Sequence, residues 1–221
     1  MERILNEKEA EEFLEKNGFN VIIRQFAKNK HQLSKVNIEF PWAMKISSKK
    51  IIHKAKIGGV LLNIKDQKQA ENAFNKLSKI KDFEEVIIQP MIKGENMILG
   101  LKKTPEFGEV IMFGHGGSNI EKEKDVSFRV APLNEKDTEE MIKEIKFYPK
   151  LKNKKVNIKV IKQNLIKLSK LAEKHGEIKE LDINPLSVNS NNATIIDARI
   201  VLEEEKQIKY LSHLWDILSG K

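Results

Sequence analysis

The chain has 221 residues, and 40% of them are hydrophobic, which is enough for a real core in one large domain or in two lobes. The absence of cysteine excludes disulfide bonds and thiolate chemistry, and it favours an intracellular location. The charged N-terminus and the lack of any long apolar stretch predict a cytoplasmic protein with no signal peptide and no membrane span.

The net charge of +8 raises the question of nucleic-acid binding, because clustered lysine and arginine bind phosphate backbones. The basic residues are, however, interspersed with 32 acidic ones, and their main cluster is confined to residues 150–155. Aromatic residues, which stack on bases, make up only 6% of the chain. A solvated, lysine-rich surface is therefore favoured over a nucleic-acid partner.

The first half of the chain is predicted to mix helices and strands. Apolar spacing predicts an amphipathic helix over residues 7–17 that ends at Asn17 and Gly18. A second helix is predicted between Asp66, as its N-cap, and Leu77. Strands are predicted over residues 21–24, 40–46 and 60–64.

The second half continues this irregular mixture. Strands are predicted over residues 86–91, 97–101 and 110–113, and helices over residues 137–145, 159–175 and 208–218. A hairpin is expected before the last helix. Because strands and helices do not alternate strictly, the pattern favours α+β lobes over a doubly wound sheet.

The predicted hairpin carries the most informative side chains of the sequence. Alternation along an extended strand places Glu180, Asp182 and Asn184 on one face, while Leu181 and Ile183 point to a core. Clustered carboxylates repel one another unless a cation neutralises them. An acidic strand face in water is the alternative that this strand alone leaves open.

The return of the hairpin adds a further oxygen ligand. Pro185 is expected to end the first strand, and the polar run of residues 187–192 has the composition of a turn. The returning chain then brings Asp197 beside Asn184. Since Mg²⁺ suits a carboxylate, an amide oxygen and substrate phosphates, these two residues are predicted to bind magnesium.

Two basic segments point to phosphate chemistry. Lys45 lies in the apolar segment 40–46, so its ammonium group must either reach the surface or meet an anion such as phosphate. In residues 53–60, Gly58 and Gly59 allow close approach of a ligand to the backbone. The neutral imidazole of His53 is a competent nucleophile toward a phosphoryl group. The alternatives are a surface-directed lysine and an ordinary basic turn.

A third segment, which is rich in glycine, follows the strand that ends at Phe113. Consecutive glycines, Gly116 and Gly117 among them, expose backbone N–H groups that can form an anion-binding nest. A flexible hairpin loop explains the same composition. His115, within this segment, is either a second phosphate contact or a tolerated substitution.

Taken together, these segments resemble the ATP-grasp subunit of the ADP-forming acyl-CoA synthetases, which are relatives of the succinyl-CoA synthetase β subunit. The resemblance extends over nearly the whole chain. The matching landmarks, in chain order, are Asn17-Gly18-Phe19, Met44-Lys45, His53-Lys54, Gly58-Gly59-Val60, Val86 to Met91, Gly94-Glu95, Phe107-Gly108, Phe113 to Gly117, Asp125 to Leu133, Glu180 to Leu186 and Asp197-Ala198-Arg199.

The resemblance implies an ATP-grasp fold, a single domain over residues 1–221 whose two α+β lobes clasp a nucleotide. The smaller lobe would span about residues 21–88, and the larger lobe would combine residues 1–20 with 89–221. It also implies catalytic roles for His53, Lys45 and Arg199, with Asn184 and Asp197 as the Mg²⁺ ligands. The residues implied in nucleotide binding are Lys45, Gly58, Gly59, Gln89, Pro90, Met91, Glu95, Gly116 and Gly117.

In this resemblance, residues 88–91 form a hinge against adenine, Glu95 lies near the ribose, and Glu180 and Asp182 line the phosphate site. His53 relays a phosphoryl group between ATP or ADP and a partner subunit. The implied reaction converts acyl-CoA, ADP and phosphate reversibly to a carboxylic acid, CoA and ATP. A separate CoA-binding α subunit is implied, in an α2β2 assembly.

The sequence is also compatible with two other functions. One is an ATP-grasp carboxylate ligase that acts through an acyl phosphate, for which a nucleophilic histidine at position 53 is unnecessary. The other is a nucleotide-binding regulatory module without catalysis, which the presence of Lys45, His53, Asn184 and Asp197 argues against.

Overall fold

A computed structural model describes residues 2–48, 50–51, 54–116, 125–154 and 156–203. His53, Gly117 and the predicted helix over residues 208–218 therefore lie outside the described residues. Within the described part of the chain, no helix is long and apolar enough to cross a membrane.

The described residues form two sheets and the helices that cover them. The strands are β1 (Glu2–Leu5), β2 (Gln25–Ala27), β3 (Trp42–Ser47), β4 (Val60–Ile64), β5 (Glu85–Pro90), β6 (Glu95–Thr104), β7 (Gly108–His115), β8 (Val126–Val130), β9 (Ile178–Val188), β10 (Ala193–Ile195) and β11 (Ala198–Glu203). The helices are α1 (Glu7–Lys16), α2 (Lys30–Leu33), α3 (Gln67–Leu77), α4 (Glu135–Glu144), α5 (Tyr148–Asn153) and α6 (Ile158–Lys174), with a 3₁₀ turn over Lys54–Ile57.

Each sheet has its own strand order. The larger sheet runs β1-β11-β9-β6-β7-β8, with β10 paired to β9, and the smaller sheet runs β2-β5-β3-β4. All pairings between these strands are antiparallel. The prediction of an α+β architecture is therefore confirmed.

Two separate hydrophobic cores follow from the two sheets. In the larger one, Leu14 of α1, Met141 of α4 and Leu165 of α6 join a cluster with strand residues such as Leu99 of β6. In the smaller one, the apolar face of α3 packs with residues of β3 and β5. The apolar periodicity therefore predicted the buried helix faces correctly.

Several predicted elements are confirmed nearly to the residue. The strand over Val60–Ile64 is as predicted, and α1 ends at the C-cap Asn17, followed by Gly18 with φ +79°. The side chain of Asp66 accepts a hydrogen bond of 2.8 Å from the backbone N–H of Gln69, which confirms Asp66 as the N-cap of α3.

The predicted strand over residues 21–24 is wrong. Only Val21 forms an isolated bridge, to Ile195 in the larger sheet, and the ladder with the smaller sheet begins at Gln25, opposite Ile88. The segment between them crosses from one sheet to the other, so it has no single neighbouring strand to pair with.

The expectation that Pro185 ends its strand is also wrong. β9 continues to Val188, and the turn is confined to residues 189–192. The register between β6 and β9 shifts here, from Met97 opposite Leu186 to Leu99 opposite Ile183. A proline is tolerated in a central strand at such an irregularity, because no regular ladder hydrogen bond is required from its nitrogen.

Candidate functional site

The β9–β11 hairpin places its polar residues as the alternation predicts. Leu181 and Ile183 are buried in the larger core, while Asp182 and Asn184 line a cavity on the other face. The backbone N–H of Asn184 donates a hydrogen bond of 3.0 Å to the carbonyl of Asp197. The prediction that the returning strand brings Asp197 beside Asn184 is confirmed, and their role in metal binding stays a prediction.

The cavity lies between the two sheets and has a volume of about 220 Å³. The larger sheet contributes the hairpin residues, the smaller sheet contributes the end of β3, and α1 contributes its first residue. The lining includes Glu7, Ser47, Lys54, Asp182, Asn184, Asp197 and Arg199. Since polar groups from both sheets meet there, this cavity is the candidate functional site.

Negative charge is concentrated on the hairpin side of the cavity. Burial, and then the neighbouring carboxylates of Asp197 and Glu180, raise the pKa of Asp182 to about 6, although Arg199 opposes the shift. Arg199 lies opposite Asp182 in the ladder, and its buried Nε has no hydrogen-bond partner. A carboxyl group with a raised pKa and an arginine Nε–H without a hydrogen-bond partner suit a cation and a phosphate, respectively.

The residues present fit a magnesium ion that is completed by substrate. Among the described residues, no three histidine, aspartate or glutamate side chains are grouped to hold a metal by themselves. Mg²⁺ is usually bound by one or two protein oxygens together with waters and phosphates, so a pair such as Asn184 and Asp197 would suffice as the protein's contribution.

Lys45 meets an anion, so the interpretation of a surface-directed lysine is wrong. Its side chain is 5% exposed, and Nζ lies 2.9 Å from Oε1 of Glu7 and 3.6 Å from Oδ2 of Asp197. It also donates a hydrogen bond of 2.7 Å to the carbonyl of Ile196. Lys45, from the smaller sheet, thus contacts α1 and the segment that leads into β11.

Lys54 brings a second cation to the same carboxylates. Its Nζ contacts Oε2 of Glu7 and lies 3.2 Å from Oδ2 of Asp197. His53 immediately precedes it in the sequence and is outside the described residues.

Gly58 is explained by its backbone conformation and Gly59 by local packing. Gly58 has φ +70°, and an added Cβ on Gly59 would lie 2.5 Å from Cγ2 of Ile46. The carbonyl of Gly59 accepts a hydrogen bond of 2.8 Å from the backbone N–H of Ile46. The close backbone approach is therefore made to β3, and contact of these glycines with a nucleotide stays a prediction.

The predicted adenine hinge lies at the end of β5. Gln89 is fully buried and donates from Nε2 to the carbonyl of Ile196 at 3.2 Å, so it supports the hinge from inside the protein. The backbone N–H of Met91 already donates to the carbonyl of Pro41 at 2.8 Å. Nearby, Glu95 forms an ion pair of 2.8 Å with Lys154.

The anion-nest interpretation is wrong for the part of the glycine segment that is described. The backbone N–H of Gly116 donates to the carbonyl of Asn96 at 2.6 Å, and that of His115 donates to the carbonyl of Asp125 at 3.2 Å. The ring of His115 stacks on Phe147, with centroids 3.5 Å apart. Because these amides are already bonded, they close the end of β7, and Gly117 lies outside the described residues.

Sequence reasoning missed Glu7 and Glu11 of α1. Both are buried, and Glu11 forms an ion pair of 2.6 Å with Nε of Arg24. A signal was present, because Glu7 and Glu11 share the helix face of Ala10 and Leu14, where core residues are expected. Acidic residues on an apolar face require partners from elsewhere in the fold.

The chain is similar to known proteins over nearly its whole length. The model of the ATP-grasp domain matches residues 1–202. Subunit beta of acetate–CoA ligase (ADP-forming) I from Pyrococcus furiosus is 41% identical over 214 residues, covering 90% of this chain and 92% of that subunit. Acetate–CoA ligase (ADP-forming) II from Archaeoglobus fulgidus is 38% identical over 213 residues, and the match spans 94% of this chain but only 32% of that longer protein.

Solved structures show the same fold. The dinucleotide-forming acetyl-coenzyme A synthetase 1 of Ca. Korarchaeum cryptofilum, in complex with coenzyme A and Ca-AMPCP, gives a TM-score of 0.84 at 34% identity, over 91% of this chain and 94% of that chain. A complex of the same protein with coenzyme A and Mg-AMPPCP, whose phosphohistidine segment points towards the nucleotide binding site, gives a TM-score of 0.78 at 34% identity, over 90% and 93%. The predicted ATP-grasp fold and the family resemblance are confirmed: the chain belongs to the ATP-grasp domain family, in the group that includes the β subunits of the ADP-forming acetate–CoA ligases.

Proposed function

We propose that this chain is the nucleotide-handling subunit of an ADP-forming acyl-CoA ligase. The reaction converts acyl-CoA, ADP and phosphate reversibly to a carboxylic acid, CoA and ATP. The observation that carries the proposal is the cavity between the sheets, where the Asn184–Asp197 pair faces Lys54 and the end of β3. The relatives named as ligase β subunits, and the Mg-AMPPCP complex of the Korarchaeum protein, support the same assignment.

Asn184 and Asp197 hold the magnesium ion through an amide oxygen and a carboxylate oxygen. When bound, Mg²⁺ neutralises charge on the phosphates of the nucleotide. The raised pKa of Asp182, which burial and the charges of Asp197 and Glu180 cause, supports a cation at this place. Asp182 and Glu180 add negative potential next to the two ligands.

Lys45 and Arg199 stabilise the phosphate groups. Phosphoryl transfer depends mainly on positioning and charge stabilisation, because charge accumulates on the phosphoryl oxygens. Arg199 has a buried Nε–H without a partner, so a phosphate oxygen would satisfy it. Lys45 is held beside Asp197, the proposed magnesium ligand, by its ion pair with Glu7.

His53 accepts the phosphoryl group. In the direction from ATP, an imidazole nitrogen attacks the γ-phosphorus, the P–N bond forms, the proton on the other ring nitrogen is released, the bond to the β,γ-bridging oxygen breaks and ADP leaves. In the reverse direction, a terminal oxygen of ADP attacks the phosphohistidine, the P–N bond breaks, and the imidazole leaves neutral after it takes up a proton. The basic groups near the cavity offset the charge of the phosphoryl group in both directions.

The remaining nucleotide contacts belong to the end of β5 and its neighbours. We assign adenine to the hinge at residues 88–91, where Gln89 and Pro90 precede Met91, and the ribose to the neighbourhood of Glu95. Gly58 and Gly59 follow the 3₁₀ turn at Lys54 and complete the phosphate side.

CoA and the acyl group are handled by a partner. We infer a CoA-binding α subunit, assembled with this chain as α2β2. The Pyrococcus relatives that match this chain over 91–92% of their length are named as β subunits, which supports a separate partner.

Intact mass under alkaline conditions tests the central step. The wild type, His53→Ala and His115→Ala are each mixed with Mg-ATP, with and without an α subunit. We expect one acid-labile phosphoryl group on the wild type and on His115→Ala, and none on His53→Ala. If the wild type binds Mg-ATP but stays unmodified with its partner present, the relay is wrong and a direct acyl-phosphate ligase or a regulatory module replaces it.

A further inference from the structure

Glu7 occupies an unusual place for a carboxylate. It is the first residue of α1, and its side chain is 4% exposed between the two sheets. A buried carboxylate is costly unless charged or hydrogen-bonded partners surround it. Its two oxygens each contact one lysine: Oε1 lies 2.9 Å from Nζ of Lys45, and Oε2 contacts Nζ of Lys54.

These two lysines come from different parts of the chain. Lys45 lies within β3, where the ladders with β4 and β5 fix its backbone. Lys54 opens the 3₁₀ turn of residues 54–57, and it directly follows His53 in the sequence. Glu7 therefore joins a rigid strand to the turn that follows the proposed phosphoryl acceptor.

Asp197 also contacts both lysines, but its environment differs from that of Glu7. Its side chain is 27% exposed, and it lies 3.2 Å from Lys54 and 3.6 Å from Lys45. In the proposed function Asp197 turns its carboxylate to magnesium, which weakens its attraction for the lysines. The more deeply buried Glu7 is not assigned to the metal, so nothing in the proposed function draws its carboxylate away from the turn at Lys54.

We propose that Glu7 is a positioning residue that anchors the turn after His53 to the nucleotide cavity through Lys54, using Lys45 as its fixed point. The inference rests on the proposed function, because the purpose of the anchor is to hold the phosphoryl acceptor near the nucleotide. A displacement of about 1 Å in such a step lowers its rate by on the order of 100-fold.

The test compares Glu7→Gln, Lys54→Met and the double variant with two matched controls. Glu12→Gln removes a carboxylate from the same helix, and Lys56→Met removes an exposed lysine from the same turn. The dissociation constant of Mg-AMPPCP, the rate of histidine phosphorylation and the amide exchange of residues 54–57 are measured for each variant, with the α subunit present.

For Glu7→Gln we expect phosphorylation to slow by about 100-fold, while the dissociation constant changes by less than about 5-fold. Lys54→Met should slow phosphorylation at least as much, and the double variant should be no slower than Lys54→Met alone, because both substitutions break one anchor. Exchange at residues 54–57 should accelerate in these variants and not in the controls.

If the amide exchange of residues 54–57 is unchanged in both Glu7→Gln and Lys54→Met, the proposed anchoring role of Glu7 is wrong. In Glu7→Gln, a fall in nucleotide affinity that matches the fall in rate would also overturn it, because that pattern indicates a general loss of the site. If Glu7→Gln does not fold, the amide exchange of residues 54–57 in Lys54→Met, compared with Lys56→Met, decides the question. If the wild type is never phosphorylated, the proposed function is wrong. The amide exchange of residues 54–57 then still shows whether Glu7 holds this turn.

Discussion

Two parts of the candidate site bring charged residues together in different ways. The β9–β11 hairpin joins Asn184 and Asp197 through a short turn, and its acidic face follows from strand alternation. The cluster of Glu7, Lys45 and Lys54 joins residues from α1, β3 and a turn. The hairpin could be predicted from the local sequence, whereas the cluster exists only because the two sheets pack together.

The two parts also differ in how their charges are balanced. The hairpin side has an excess of carboxylates, which raises the pKa of Asp182 through burial and repulsion. The cluster side pairs each lysine with carboxylates at short distances. The hairpin is therefore expected to govern metal and nucleotide binding, and the cluster to govern stability and positioning.

Removal of the shared carboxylate should have the largest effect. Asp197→Ala removes a proposed magnesium ligand and a contact of both lysines, so we expect phosphorylation to fall by at least about 100-fold. Magnesium-dependent nucleotide binding, measured by titration calorimetry, should weaken in parallel. Asn191→Ala in the exposed turn of the same hairpin is the control. Normal magnesium dependence in Asp197→Ala would contradict the site.

The stability of the cluster is tested by a comparison of two lysines. Lys45→Met leaves Glu7 buried with one cation fewer, so we expect the free energy of unfolding to fall by about 3 kcal/mol. Lys50→Met removes a lysine that is 75% exposed and pairs with Asp82 at 3.3 Å, and its effect should stay below about 1 kcal/mol. Urea denaturation of both variants measures the difference. Equal losses would show that the buried pairing adds nothing to stability.

The pH dependence of stability separates the hairpin from the cluster. Because the folded pKa of Asp182 is about 6, above its ordinary value of 3.8, the folded state holds more protons between these values. Stability without magnesium should therefore fall as pH rises from about 4 to 6, by at most about 3 kcal/mol from this residue. Thermal denaturation in EDTA at several pH values measures it.

Asp182→Asn is the control for that measurement, since it cannot ionise. Its stability should change less with pH across the same window than that of the wild type. Added magnesium should reduce the wild-type loss at pH 6 and above, because a bound cation favours the ionised carboxylate. Identical pH profiles for the two proteins would contradict the shift.

The sequence predicted what depends on neighbours along the chain. The helix faces, the N-cap Asp66 and the pairing of Asn184 with Asp197 all follow from local periodicity and turn chemistry. It did not predict the partners of Lys45, because Glu7 is far away in sequence. It also misjudged Gly116, whose N–H is used by the backbone of β6. Such contacts depend on tertiary packing, which single-segment patterns do not contain.

The smallest expected effect on stability concerns Gly59, which connects the turn after Lys54 to β4. Gly59→Ala would place a Cβ 2.5 Å from Cγ2 of Ile46 and 3.0 Å from the carbonyl oxygen of Lys54. Overpacking of this kind costs about 1–3 kcal/mol, and the strain should displace Lys54 from Glu7. Gly176→Ala, where an added Cβ meets no atom within 4 Å, is the control. If Gly59→Ala leaves stability and the amide exchange of residues 54–57 unchanged, the turn is not held tightly against β3. The coupling between packing and the charged cluster would then be absent.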